Sequence, residues 1–89
     1  MSWEVSFSAR SLKFLEQKNI EEDFILSEIR LALKRFRGEE VNVDIKRLKG
    51  AWEGFHRIRS GKLRIIAEFD FRMKRVYIEA IDWRGNVYK

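Results

Sequence analysis

Apolar and polar residues alternate from the start of the chain. Trp3-Glu4-Val5-Ser6-Phe7-Ser8 has a period of two and predicts a strand. Ala9 to Lys18 then shifts to helical spacing, with Ser8 as N-cap and Leu12 and Leu15 facing inward. Asn19 restarts the pattern: with Glu22 three residues on, it resembles a capping box. Glu21, Glu22 and Asp23 suit the positive end of a second helix. That helix runs to about Arg37, carries Lys34, Arg35 and Arg37 in its last turn, and has Gly38 at C′. Ile25, Ile29, Ala32, Leu33 and Phe36 make one apolar stripe. Phe24 and Leu31 lie about 100° from it, which either widens the buried face or marks a contact surface.

Residues 39–49 read as a connector without a clear period, and Gly50 and Gly54 bracket Trp52. A hairpin follows, His56-Arg57-Ile58-Arg59-Ser60-Gly61-Lys62-Leu63-Arg64-Ile65-Ile66, with Ser60-Gly61 as its two-residue turn. This predicts Arg59 opposite Lys62, Ile58 opposite Leu63 and Arg57 opposite Arg64. Ile58, Leu63 and Ile65 then point one way, and Arg57, Arg59, Lys62 and Arg64 the other. The second hairpin strand continues with Ala67 and Phe69 on the first face and Ile66 and Glu68 on the second. Residues 70–74 are a turn. Residues 75–82 are a further strand, with Val76, Ile78 and Ala80 as one stripe and Tyr77, Glu79 and Ile81 as the other. The order is β-α-α-β-β-β. It predicts one domain, 1–89, of α+β class: two layers, two N-terminal helices packed on a mainly antiparallel twisted sheet. The other sheet face is left for function, and it carries the arginines.

Composition sharpens this. Of 89 residues, 37% are charged, against an average of about 25%. The 19 Lys and Arg outnumber the 14 Asp and Glu, and a net charge of +5 points to a polyanionic or acidic partner. Cysteine is absent and His56 is the single histidine, so no metal centre or cofactor is expected. No apolar run approaches the roughly 18 residues of a membrane span, and no signal peptide is evident. No membrane association is expected, and the cytoplasm is the expected location. Abundant Lys, Arg and Glu without proline is compatible with a thermophilic source.

Like charges placed opposite each other weaken a ladder, so the hairpin cations need an anion that the hairpin itself lacks. A phosphate chain is the simplest candidate, because arginine suits planar, bidentate phosphate contacts. Trp83 beside Arg84 either stacks on a base or covers the edge of the core. Tyr88 offers a phenol near the C-terminus. His56 shares the parity of Ile58 and reads as a half-buried structural residue; Trp52 reads as an anchor or a stacking platform, with the structural role preferred. Glu68 and Glu79 share the polar stripes of neighbouring strands; they read either as general bases or, in preference, as neutralising the arginines. No nucleophile–base pair or phosphate-cradling loop is present.

Three segments together make a specific combination: Leu48-Lys49-Gly50, the hairpin ending in Arg64-Ile65-Ile66, and Ala80-Ile81-Asp82-Trp83-Arg84-Gly85-Asn86-Val87-Tyr88. Over nearly its whole length the chain resembles the RelE/ParE family of type II toxin–antitoxin toxins. The resemblance implies a RelE-like fold and a RelE-like function: ribosome-dependent endoribonuclease cleavage of messenger RNA in the A site, without a metal, inhibiting translation. The alternative within the family is a ParE-like inhibitor of DNA gyrase without enzymatic activity. By motif, Arg64 and Arg84 would contact the scissile phosphate and Tyr88 would sit near the attacking 2′-hydroxyl. Arg57 and Arg59, where RelE-type members often carry lysines, would hold RNA or ribosome together with Lys62, Lys49, Lys46 and Trp83. The glutamate–histidine pair of the YoeB branch has no match. The implied partners are the ribosome, messenger RNA and an acidic RelB-like antitoxin bound in a hetero-oligomer. Phe24 and Leu31 are its candidate contacts.

Overall fold

The computed structural model describes residues 3–83, and Ser8 fixes how its first helix lies. Strand β1 (Glu4–Phe7) leads into helix α1 (Ala9–Lys18). The Ser8 hydroxyl oxygen caps α1 by accepting from the Ser11 N–H at 3.2 Å. The same hydroxyl donates to the Glu79 carbonyl at 2.7 Å, and Arg10 Nε reaches that carbonyl at 3.0 Å. This clamp turns Ser11 and Leu15 into the core. Leu12, one residue and about 100° further round, is exposed rather than inward-facing.

Asn19 closes α1 rather than opening the next helix. It adopts the left-handed conformation (φ 57°), and its N–H donates to Glu16 O. Asn tolerates that region better than most side chains. Helix α2 (Glu22–Phe36) starts after Glu21 with no side-chain cap, relying on Glu22 and Asp23 in its first turn. It ends as the sequence predicts, with Gly38 at φ 89° just beyond.

The sheet has one strand more than the sequence pattern showed. Strand β2 (Asp44–Arg47) lies within the segment read as a connector. With β3 (Phe55–Ser60), β4 (Leu63–Asp70) and β5 (Arg75–Trp83) the order is β1-β5-β4-β3-β2. Strands β1 and β5 run parallel; the other neighbours are antiparallel. The core lies between sheet and helices: Leu15, Ile25, Ile29 and Leu33 meet Ile58, Ile65, Val76, Ile78 and Ile81. Each such fully buried aliphatic side chain contributes roughly 1.5–3 kcal/mol. No helix among the described residues is long and apolar enough to cross a membrane.

Two register details differ from expectation. The hairpin turns at Gly61-Lys62, so Ser60 pairs with Leu63, Arg59 with Arg64 and Arg57 with Ile66. Gly61 takes φ 61° at the first turn position, which a residue with a side chain resists. The slip moves each partner by two residues, so every strand side chain keeps its predicted face. In β5 a bulge leaves Glu79 unpaired between Ile78 and Ala80. Ile81 therefore joins Val76 and Ile78 toward the helices, while Ala80 turns to the far side. The α1 clamp on the Glu79 carbonyl gives the bulge its hydrogen bonds.

His56 sits on the helix side of β3, its ring 5.2 Å from Phe36 and 5.5 Å from Phe69. Phe36, the last residue of the predicted stripe, is at the rim and half open to solvent. His56 Nδ1 is buried with no hydrogen-bond partner among the described residues. Burial lowers its pKa below the ordinary 6.5, and the Arg47 charge opposite on β2 lowers it further. The unfolded chain thus takes up the proton more readily. Stability is full above pH 6.5 and declines as pH falls through the lowered value. Between about pH 8 and about pH 5, wild type should lose more Tm than His56→Phe. Equal losses would remove His56 from the acid response.

Candidate functional site

Arg57 and Arg59 flank Ile58, and the core takes Ile58. Alternation therefore sends both arginines to the face away from the helices. Strand register lays out rows across that face. The first is Asp44, Arg59, Arg64 and Asp82, one residue from each of β2, β3, β4 and β5. The second is Lys46, Arg57, Ile66 and Ala80. The third is Phe55, Glu68 and Tyr77. Two arginines directly opposite each other repel; here the pair is flanked by a carboxylate residue on either side.

The anion missing from the hairpin comes from β2. Asp44 Oδ1 accepts from Arg57 Nη2 at 3.0 Å, and Oδ2 accepts from Arg59 Nε. The hydrogen bond from Arg59 holds the Asp44 carboxyl below its usual range, and the Arg57 charge adds to this. Glu79, expected to neutralise the arginines, instead pairs with Arg10 at 3.1 Å. Glu68 stands one row beyond Ile66, beside Phe55 and Tyr77. Arg57 is the more enclosed of the Asp44 partners, its side chain 14% exposed, against 46% for Arg59. Its Nε is buried with no hydrogen-bond partner among the described residues.

Arg64 is only 8% exposed. Its Nη1 donates to the carbonyl oxygens of Gly61 at 3.0 Å and Leu63 at 3.1 Å. The guanidinium is thus folded onto the turn and held in place. A fixed cation in a partly dry setting stabilises nearby negative charge more than a mobile one in water.

The arginine face is not wholly open. Leu48, Trp52 and Phe55 pack on Ile66 and Ala80 as a second, smaller apolar cluster. Trp52 meets Phe55 edge-on at 5.5 Å. The segment folds back through a 3₁₀ turn at Gly50–Trp52, with Gly50 at φ 65° and Gly54 at φ 94°. Asp44, Lys46 and Arg59 stay exposed on that face, and the covering segment carries Lys49.

The predicted site residues divide accordingly. Arg57, Arg59, Arg64 and Lys46 come together on one face. Lys62 lies in the hairpin turn rather than on a strand. Trp83 pairs with Leu63 and packs on Phe14 at 5.4 Å, on the helix side and away from the arginines. Phe24 is exposed on α2; Leu31, two turns later, is packed against the core. Arg84 and Tyr88 lie outside the described residues. Asp44 was the residue missed. Val41, Val43 and Ile45 alternate with Asn42, Asp44 and Lys46, a period-two signal that marks this strand and puts Asp44 and Lys46 on one face. Among the described residues no three His, Asp or Glu side chains gather as metal ligands.

No protein-family model matches the chain, and no curated protein matches it significantly. Solved structures do. The RelE–RelB complex of the archaeon Pyrococcus horikoshii matches with a TM-score of 0.65 at 22% identity, covering 98% of this chain and all of that one. The chain has the RelE-like fold. The RelBE2 toxin–antitoxin complex of Mycobacterium tuberculosis matches at 0.61 with 20% identity, over 94% of this chain and 100% of that one. The YoeB–YefM toxin–antitoxin complex of Staphylococcus aureus matches at 0.60 with 16% identity, over 94% and 99%. The RelE-like fold spans both layers described above, including β2 and the arginine face.

Proposed function

We propose that this protein is the toxin of a type II toxin–antitoxin pair and a ribosome-dependent endoribonuclease that cuts messenger RNA in the A site. The observation that carries this reading is the pair Arg59–Arg64 across the hairpin, with Arg64 anchored and nearly buried, on a RelE-like fold. The reaction is 2′-O attack on the adjacent phosphate. The 2′-oxygen forms a bond to phosphorus, the bond to the 5′-oxygen breaks, and a 2′,3′-cyclic phosphate and a 5′-hydroxyl remain. The 2′-hydroxyl loses its proton and the leaving oxygen gains one; no metal takes part. Arg64, with Arg84, stabilises charge on the non-bridging oxygens. Tyr88 orients the 2′-hydroxyl or accepts its proton. Arg57 and Arg59 stay protonated, so they hold the RNA backbone or ribosomal RNA rather than protonate the leaving group. Lys46, Lys49 and Lys62 extend that basic surface.

The partner is an acidic, RelB-like antitoxin, as the RelE-like neighbours above occur in complexes with antitoxins. Its amphipathic helix packs on apolar residues of the helix layer, with Phe24 as the exposed anchor and Leu31 two turns further along the same helix, and its acidic tail reaches the arginines. The complex is a cytoplasmic hetero-oligomer. Induced expression alone should arrest growth of a bacterial host, and co-expression of the cognate antitoxin should restore it. Unimpaired growth at high expression would contradict the toxin reading.

A further inference from the structure

One carboxylate joins the two arginines assigned to the RNA backbone. Asp44 spreads its two oxygens between Arg57 and Arg59, one guanidinium each. A phosphodiester also presents two non-bridging oxygens with a single shared charge. We propose that Asp44 is an internal stand-in for a backbone phosphate, and that RNA takes the Arg57–Arg59 fork by displacing it. This rests on the reading of the arginine face as an RNA surface, and not on catalysis there.

Three observations support displacement over a permanent structural pair. Asp44 lies on β2, at the edge of the sheet, and its side chain is 45% exposed, so it can swing into solvent. The Arg59–Asp44 pair is half-exposed on both sides, and such a pair is weak, screened and exchanged readily for a better anion. Finally, Arg57 meets the carboxylate through Nη2, while its Nε is buried without a hydrogen-bond partner among the described residues, so Asp44 does not fill the hydrogen-bonding capacity of the fork. Asp44 then acts as a positioning residue and a filter. It keeps both guanidinium groups on one spot while the site is empty, and it favours ligands with enough phosphates to outcompete it.

The test is binding of a short single-stranded RNA to the full chain over a salt series. Asp44→Asn keeps the shape and one acceptor oxygen but loses the charge. It should bind about tenfold more tightly at low salt, with a steeper salt dependence by about one unit or slightly less. Glu40→Gln adds the same net charge on an exposed residue outside the arginine rows and should change affinity far less. In an Arg57→Ala, Arg59→Ala background the Asp44→Asn gain should vanish, which a general charge effect would not do. Unchanged or weaker binding by Asp44→Asn, at unchanged Tm, overturns the proposal. So does a gain that persists without the two arginines. Tighter binding by Asp44→Asn in a protein that cuts no message leaves the proposal standing and removes the ribonuclease reading. Failure of both wild type and Asp44→Asn to bind RNA overturns the proposal and leaves the ribosome-dependent reading to the cleavage assay.

Discussion

Arg64→Ala is expected to lower the rate of message cleavage by about 10²-fold or more, the scale of losing one preorganised oxyanion donor. Ribosome affinity should fall less, because the phosphodiester carries one negative charge in the ground state and the additional charge that Arg64 is proposed to meet develops only toward the transition state. The expectation comes from how the side chain is held. It is 8% exposed and hydrogen-bonded to the carbonyls of Gly61 in the turn and Leu63 at the start of β4, so little reorganisation is needed when charge develops. Those same bonds mean that truncation also loosens the hairpin. Arg64→Lys separates the two effects. It retains a cation but not the planar fork, so it should recover part of the rate if charge is what matters. The measurement is single-turnover cleavage of ribosome-bound message, with affinity determined separately and folding checked by circular dichroism. Wild-type rates in Arg64→Ala would take Arg64 out of the chemistry.

The second large effect is on stability. Ile66 is fully buried, yet it faces away from the main core. It carries the segment that folds over the arginine face, with Leu48, Trp52 and Phe55 packed on it and on Ala80. Ile66→Ala should cost about 2–5 kcal/mol, and Ile66→Val about 0.5–1.5 kcal/mol. Against a total stability of about 5–15 kcal/mol the first is severe. Denaturant unfolding measures both. The Leu48 amide, which donates to Phe55 O at 2.9 Å, should also exchange faster in Ile66→Ala. A cost below about 1 kcal/mol for Ile66→Ala would show that this covering layer is not held by packing.

Most of the layering could be read from periodicity alone, and the failures have physical causes. The helices and the hairpin have long, regular patterns, and the face of each hairpin side chain survived a misplaced turn because the slip was two residues. The β5 stripes failed at Glu79, since a bulge set by contacts to α1 leaves no mark in local alternation. Leu12 failed for a related reason: the clamp of Ser8 and Arg10 on that bulge rotates α1 by one residue's worth. Asn19 could serve either of two adjoining helices, and its backbone went to the first. At the site, parity alone put Arg57, Arg59 and Arg64 on one face. It could not show that Asp44 reaches the first two, because that contact joins residues 13 and 15 positions apart through a strand only four residues long. Nor could it show that Trp83 faces the helices, since that depends on the bulge upstream.

The claim that matters most is that this RelE-like chain cuts message on the ribosome. Purified wild-type protein, incubated with ribosomes stalled on a defined message, tests it directly by primer extension and analysis of the new ends. The expected result is a break within the A-site codon, with a 2′,3′-cyclic phosphate on one fragment and a 5′-hydroxyl on the other. An intact message, together with inhibition of DNA gyrase supercoiling by the same preparation, would contradict it.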